Sequence, residues 1–406
     1  MRWRFNDPSS PHEKSHHDRT IRLIDEWWNA FAAKTDDFVA LFSQRRQWDL
    51  PAWMDEHLHA IDPRLYWEFG PALRGDGHRL VITPETEKQL RPLVATILQR
   101  APSLPGWEFY PYRVPENLEN AEATVQGRCG GSLEGYMARA SIGEHNLIDL
   151  VYHSPLAQSD QDPQATNVAF IATETLLGEE RLDKWIGAVR ATPLPRPSLL
   201  SKLMGCGKSH PSLIPLDRLR PTVEALINSI RDQLPDRPYY QIDVKADGHG
   251  WGGYGMKPEQ ADDYPARTDL ITGATAAGAM CLAAHSPQFY SERFSRFGET
   301  FCYLKIDGSN APEHLRDREV IEDAVDAALI AHALGRSLGG ATGLRYSYVD
   351  LALADLDRAV GTLRTAMRSL QLPHRSWLLF WDTDLANEWI GIHDDTPPPP
   401  MPPPED

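Results

Sequence analysis

Between residues 300 and 381 the apolar positions pass from strand spacing to helix spacing and back, twice, and few folds accommodate that order. Residues 300–306 alternate as a strand. Over 317–334, Ile321, Ala324, Val325, Ala328 and His332 fall on one helical face, and Gly335 stands where a C-cap belongs. Residues 338–344 and 346–353 form a hairpin through a Gly/Thr-rich turn. Leu356, Val360, Leu363, Met367 and Leu370 then recur at helical steps, Pro373 ends that helix, and 377–381 is a closing strand. The order is β-α-β-β-α-β.

That order predicts an α+β chain with a ferredoxin-like plait over 299–395, its two helices side by side on one sheet face. Glu319, Glu322, Asp323 and Asp326 on the first helix face Arg358, Arg364 and Arg368 on the second in this arrangement. An earlier stretch echoes the plait. Leu147-Ile-Asp149-Leu-Val-Tyr precedes Lys184-Trp185-Ile-Gly, as Tyr348-Val-Asp350-Leu-Ala-Leu precedes Glu388-Trp389-Ile-Gly, with Asp-to-Trp separations of 36 and 39 residues. Two plait modules from an internal duplication are therefore expected. The first is degenerate, with polar residues 158–164 in place of its second helix and a strand over 167–173.

The remaining segments divide the chain. Residues 1–62 read as a loose polar arm, to about position 20, followed by helices. Residues 63–192 hold the first α+β module, within which Thr83-Pro84-Glu85 reads as a helix start. Residues 193–221 carry six prolines and read as a linker; 222–395 hold the second module. The Gly- and Asp-rich residues 247–255 read as an irregular loop, and 396–406 as a polyproline II or disordered tail.

Charge narrows the partners. Acidic residues outnumber basic ones by 57 to 41, a formal charge of −16, which repels DNA and favours a basic protein partner. Four cysteines without a C-x-x-C pair fit a reducing compartment. No apolar run is long enough to cross a bilayer, and the first residues lack a signal-peptide pattern, so a cytoplasmic location without membrane contact is expected.

No motif carries chemistry strongly. Gly205-Cys-Gly-Lys208-Ser209 lacks the earlier glycine of a phosphate-binding loop, because Lys202 stands there. Cys206 with His210 is a candidate thiolate–imidazole pair, and His249 is a third catalytic candidate. The histidines at 12, 16, 17, 57 and 59 lack metal-ligand spacing, and neither a metal nor a cofactor is expected. The aromatic sheet face is the better candidate: Phe301 and Tyr303 on one strand, Tyr346 and Tyr348 on the next. RNA-recognition plaits stack bases on such positions, but residues 299–395 hold 16 acids against 9 bases, which disfavours RNA.

The stretch Leu65-Tyr-Trp-Glu-Phe-Gly, Leu80-Val-Ile-Thr, Ala101-Pro-Ser-Leu-Pro-Gly-Trp107-Glu-Phe resembles a pattern in uncharacterised bacterial proteins grouped only as domains of unknown function. That resemblance covers residues 20–190 and implies no catalytic residue. The plait is also similar, at fold level, to a small bacterial plait that inhibits an endoribonuclease by binding it, and this likeness is an analogy of fold alone. Together these lead to the expectation of a non-catalytic binding or regulatory protein, of the immunity-inhibitor type, which uses its aromatic sheet face. The alternatives are a hydrolase with its site between the modules near 247–255, and RNA binding on the same face.

Overall fold

A computed structural model describes residues 2–160, 162–194, 213–246, 250–258, 267–286, 288–309 and 317–400. Among these residues the chain is mixed α+β, with eleven α-helices and three β-sheets. It divides into two compact units. The first comprises residues 1–111, 237–291 and 297–406, and the second residues 112–236 and 292–296. The division thus begins at Tyr112, inside the expected first module.

The first unit opens with α1 (Pro11–Ala32), which starts well before the apolar period does. Ser10 caps it by accepting from the Glu13 amide, with Pro11 in the first turn, so the segment expected to be a loose arm contains a proper helix start. Residues preceding it are also held: the Glu388 carboxylate accepts from the backbone amides of Trp3 (2.7 Å), Arg4 (2.9 Å) and Phe5 (3.0 Å). The Trp3 indole donates to Thr96 Oγ1. Helices α2 (Thr35–Phe42) and α3 (Leu50–His57) follow. Trp27, Phe31, Phe38 and Trp53 interlock in the core that these helices share with β1 (Tyr66–Pro71), β2 (His78–Thr83) and β3 (Trp107–Tyr110). Between β2 and β3 the helix α4 (Arg91–Gln99) begins later than Thr83 suggests. Thr83 Oγ1 accepts from the Glu85 amide and Glu85 takes a positive φ, so the threonine closes a turn rather than capping the helix.

The second unit contains α5 (Leu118–Cys129), β4 (Met137–Ile142), β5 (Ile148–Ser154), α6 (Pro163–Leu177), α7 (Glu179–Trp185), β6 (Ile186–Pro193), β7 (Ile214–Pro215) and α8 (Leu219–Gln233). Its sheet has the order β6-β5-β4-β7. Residues 167–173 are helical, not a strand. The stretch is apolar on every side, which hides its period, while Asp162 caps α6 and Pro163 opens it. Leu219, Val223, Ile227 and Ile230 of α8 join the core around Tyr152 and Trp185, so residues 213–221 belong to this unit rather than to a linker. Residues 195–212 lie outside the described residues.

The largest sheet belongs to the first unit and is wholly antiparallel, in the order β14-β13-β10-β12-β11-β9-β8. Its strands are β8 (Gly252–Gly255), β9 (Leu270–Thr275), β10 (Thr300–Asp307), β11 (Gly335–Gly343), β12 (Tyr346–Leu353), β13 (Ser376–Phe380) and β14 (Trp389–Gly391). A short helix, α9 (Gly278–Ala283), follows β9. Helices α10 (Arg318–Ile330) and α11 (Leu356–Ser369) cover one face, where Leu304, Val349, Leu351 and Leu378 meet Ile321, Val325, Leu329, Leu363 and Met367. The charges expected to pair these helices go elsewhere: Asp326 to Arg336, Asp323 to Lys245, Arg364 and Arg368 to Asp394.

The strand pairings do not repeat between the two halves. The strand after Trp185 runs parallel beside the Asp149 strand, whereas the Trp389 strand runs antiparallel beside β13 and away from β12. Residues 396–400 of the expected loose tail pack on the unit, with Thr396 and Pro399 buried.

Glu388 is buried and serves three amides at once, and its charge makes those bonds stronger than neutral ones. Glu388→Ala is expected to cost about 1–3 kcal/mol in urea unfolding, because three amides, that of Trp3 buried, lose their acceptor. Glu388→Gln, which keeps one oxygen, should cost less.

Candidate functional site

Alternation along β10 and β12 sends Phe301, Tyr303, Lys305 and Asp307, with Tyr346, Tyr348 and Asp350, to the sheet face opposite the helices. Pairing sets Tyr303 against Asp350, Lys305 against Tyr348 and Asp307 against Tyr346. The four aromatic residues share a face as expected, but that face is not an open surface. Phe301 and Tyr348 are 0% exposed, Tyr303 and Tyr346 1%.

What buries them is charged. The Arg267 guanidinium lies 4.8 Å from the Tyr303 ring, 4.5 Å from Tyr348 and 5.6 Å from Trp381. Its Nη1 donates to Asp350 Oδ1 at 3.1 Å. Among the described residues, Arg267 Nε and Nη2 and Asp350 Oδ2 are buried with no hydrogen-bond partner. Nε and Nη2 form one edge of the guanidinium, the edge that takes a carboxylate or phosphate with two parallel bonds.

Around this centre the other charges are matched. Asp269 accepts from the Tyr346 and Arg345 amides and from the Tyr348 hydroxyl. Lys305 Nζ sits 4.1 Å over Tyr346. Asp307 accepts from Arg345 and Arg375, each at 2.8 Å. Small residues make the space. A Cβ on Gly273 would strike the Tyr254 ring, and one on Gly343 would strike the Asp269 carboxylate.

Burial and neighbouring charge set the protonation states. Burial pushes the Asp350 carboxyl up, against the pull of Arg267. Burial would also raise Asp307, but its hydrogen bonds from Arg345, Ser309 and Arg375 outweigh it and hold the carboxyl well below the usual range. Burial, then nearby Asp350, raises the Tyr254 hydroxyl and the Cys281 thiol. Burial raises Tyr348 too, helped by its bond to Asp269. Burial and the Arg267 charge lower His285.

Cys206, His210 and His249 lie outside the described residues. Of the expected irregular loop at 247–255, Gly252–Gly255 is instead a strand, β8, whose glycines pair with β9 while Tyr254 lies across Gly273. Sequence reasoning missed Arg267, Asp269 and Lys305. Lys305 and Asp307 carried a signal, since they extend the aromatic parity of β10 toward charge. Arg267 and Asp269 precede their strand and share no period with it. Among the described residues no group of three His, Cys, Asp or Glu side chains could hold a metal ion, and no helix is long and apolar enough to cross a membrane.

Removing one partner of a buried ion pair strands the other charge. Arg267→Met is therefore expected to destabilise the fold by about 3–5 kcal/mol in urea unfolding. Arg267→Met combined with Asp350→Leu should recover most of that loss.

The comparisons with known proteins return nothing: no family model, no curated protein and no solved structure matches this chain.

Proposed function

We propose that the chain is a non-catalytic binding protein that takes the oxyanion of a small ligand, a carboxylate or a phosphate, on Arg267. One observation carries this: a buried guanidinium whose bidentate edge has no hydrogen-bond partner among the described residues. A buried donor without an acceptor costs about 1–3 kcal/mol, more when charged, and an anion would relieve that cost. Binding is favoured over hydrolysis because the nucleophile and acid–base groups here are held in unreactive forms. The Cys281 thiol and the Tyr254 hydroxyl are both pushed up, and so stay protonated near neutral pH. The scaffold for this site is read as a ferredoxin-like plait, β10-α10-β11-β12-α11-β13, extended by β14 on one edge and by β9 and β8 on the other. The strand order β13-β10-β12-β11 supports that reading. The free thiols of Cys129, Cys281 and Cys302 fit a reducing, cytoplasmic setting.

Thermal unfolding with inorganic phosphate and with acetate, against chloride at equal ionic strength, tests the proposal. A ligand at about a hundred times its Kd adds roughly 2.7 kcal/mol to the folded state. One of the two anions should raise the midpoint saturably, and Arg267→Lys, which keeps the charge but loses the fork, should abolish the rise. No rise above chloride with either anion overturns it.

A basic protein partner remains a second reading, supported by a cleft of about 660 Å³ in the second unit. Glu119, Glu122, Glu134 and Asp217 line it beside Leu118 and Tyr136, and no Lys or Arg does. Charge reversal at Glu119, Glu134 and Asp217 to Lys should weaken binding of a labelled Lys-Leu repeat peptide by roughly tenfold in fluorescence anisotropy. Equal affinity in the reversed variant counts against this cleft.

A further inference from the structure

We propose that the Trp377 edge of the large sheet is a polyproline-recognition site, filled here by the chain's own tail and able to take a proline-rich segment of another protein in its place. This does not rest on the Arg267 site, which lies elsewhere on the sheet face.

Proline has no N–H, so its carbonyl oxygens are the polar atoms a polyproline segment offers, and an indole N–H is a donor suited to them. Trp377 Nε1 donates to the Pro397 carbonyl at 2.6 Å. Polyproline II has three residues per turn, so every third residue returns to the same side. Thr396 and Pro399 are buried while Pro398 between them is exposed, which is that spacing. The seat is shaped for the tail: a Cβ on Gly391, opposite Trp377 in the strand pairing, would come within 2.6 Å of Thr396 Cβ.

The seat is also built by contacts other than the tail. The Tyr346 ring stands edge-on to Trp377 at 6.2 Å, and the Arg375 guanidinium lies 5.3 Å from the Trp377 ring while donating to the Tyr346 hydroxyl. An aromatic groove with one indole donor is the usual receptor for proline-rich segments, because such segments are already extended and lose little entropy on binding. The tail sequence Thr396-Pro-Pro-Pro-Pro400-Met-Pro-Pro-Pro404 is a ligand of this class. Tethered to the same chain, it competes at an effective concentration in the millimolar range.

The test uses the full-length chain and a fluorescein-labelled peptide of sequence TPPPPMPPP, read by fluorescence anisotropy. In the released chain, Pro397→Gly with Pro399→Gly weakens the tail as a competitor. That chain should bind the peptide at least about tenfold more tightly than the unmodified chain, given the tether's effective concentration. Adding Trp377→Phe should remove the binding. Because Trp377 is buried, the indole N–H resonance of the released chain gives a second measurement that needs no change at Trp377, and it should shift on peptide addition. The proposal is overturned if the peptide binds both chains equally or neither, or if the indole resonance does not move. Self-association of the released chain without peptide binding would also overturn it.

Discussion

The Arg267–Asp350 pair sits at the middle of a sheet whose two faces are both buried, and the sheet's composition follows from that position. The helix face is solved by apolar contact alone, Leu and Val against Ile, Leu and Met. The other face has to hold a cation in low dielectric, which is tolerable only with a counter-charge and polarisable walls. Asp350 supplies the charge and three aromatic rings supply the walls. Farther out the same rule is applied again, with Lys305 over Tyr346 and Asp307 between two arginines.

Large side chains on β10, β12 and β13 need small ones beside them. Strand β11 meets this with Gly339, Gly340, Ala341 and Gly343, and β9 with Gly273. The flat floor so formed receives Tyr254 and Asp269. Sequence that looks like a flexible, glycine-rich connector is here a strand surface cut low for its neighbours.

The C-terminal β-α-β-β-α-β order was legible because each element there carries its own period and its own punctuation, as Gly335 and Pro373 do. Strand order and burial were not. The aromatic parity of Tyr346 and Tyr348 identifies a face but says nothing of what lies on it, and the Arg267 side chain that covers it comes from a segment without a pattern. The apparent duplication is not confirmed by the strand pairings, for a related reason. Asp149 takes the Ala188 amide beside Gly143 and Gly187, while Asp350 is a fully buried counter-ion. Two short strands with similar letters serve different chemistry. The early start of α1 was available in Ser10-Pro11-His12-Glu13, a capping pattern obscured by the polar residues around it.

The bond from Glu388 to the Trp3 amide joins residues 385 positions apart in sequence. During synthesis at about 5–20 residues per second, Trp3 emerges roughly 20–80 s before its acceptor exists. The interlocked aromatic core of α1–α3 draws only on residues before 112 and is complete long before that. The arm cannot be. The Trp3 indole can settle early against Thr96 and His17, but the Trp3, Arg4 and Phe5 amides find their acceptor only when Glu388 arrives, so these backbone bonds are among the last the first unit closes.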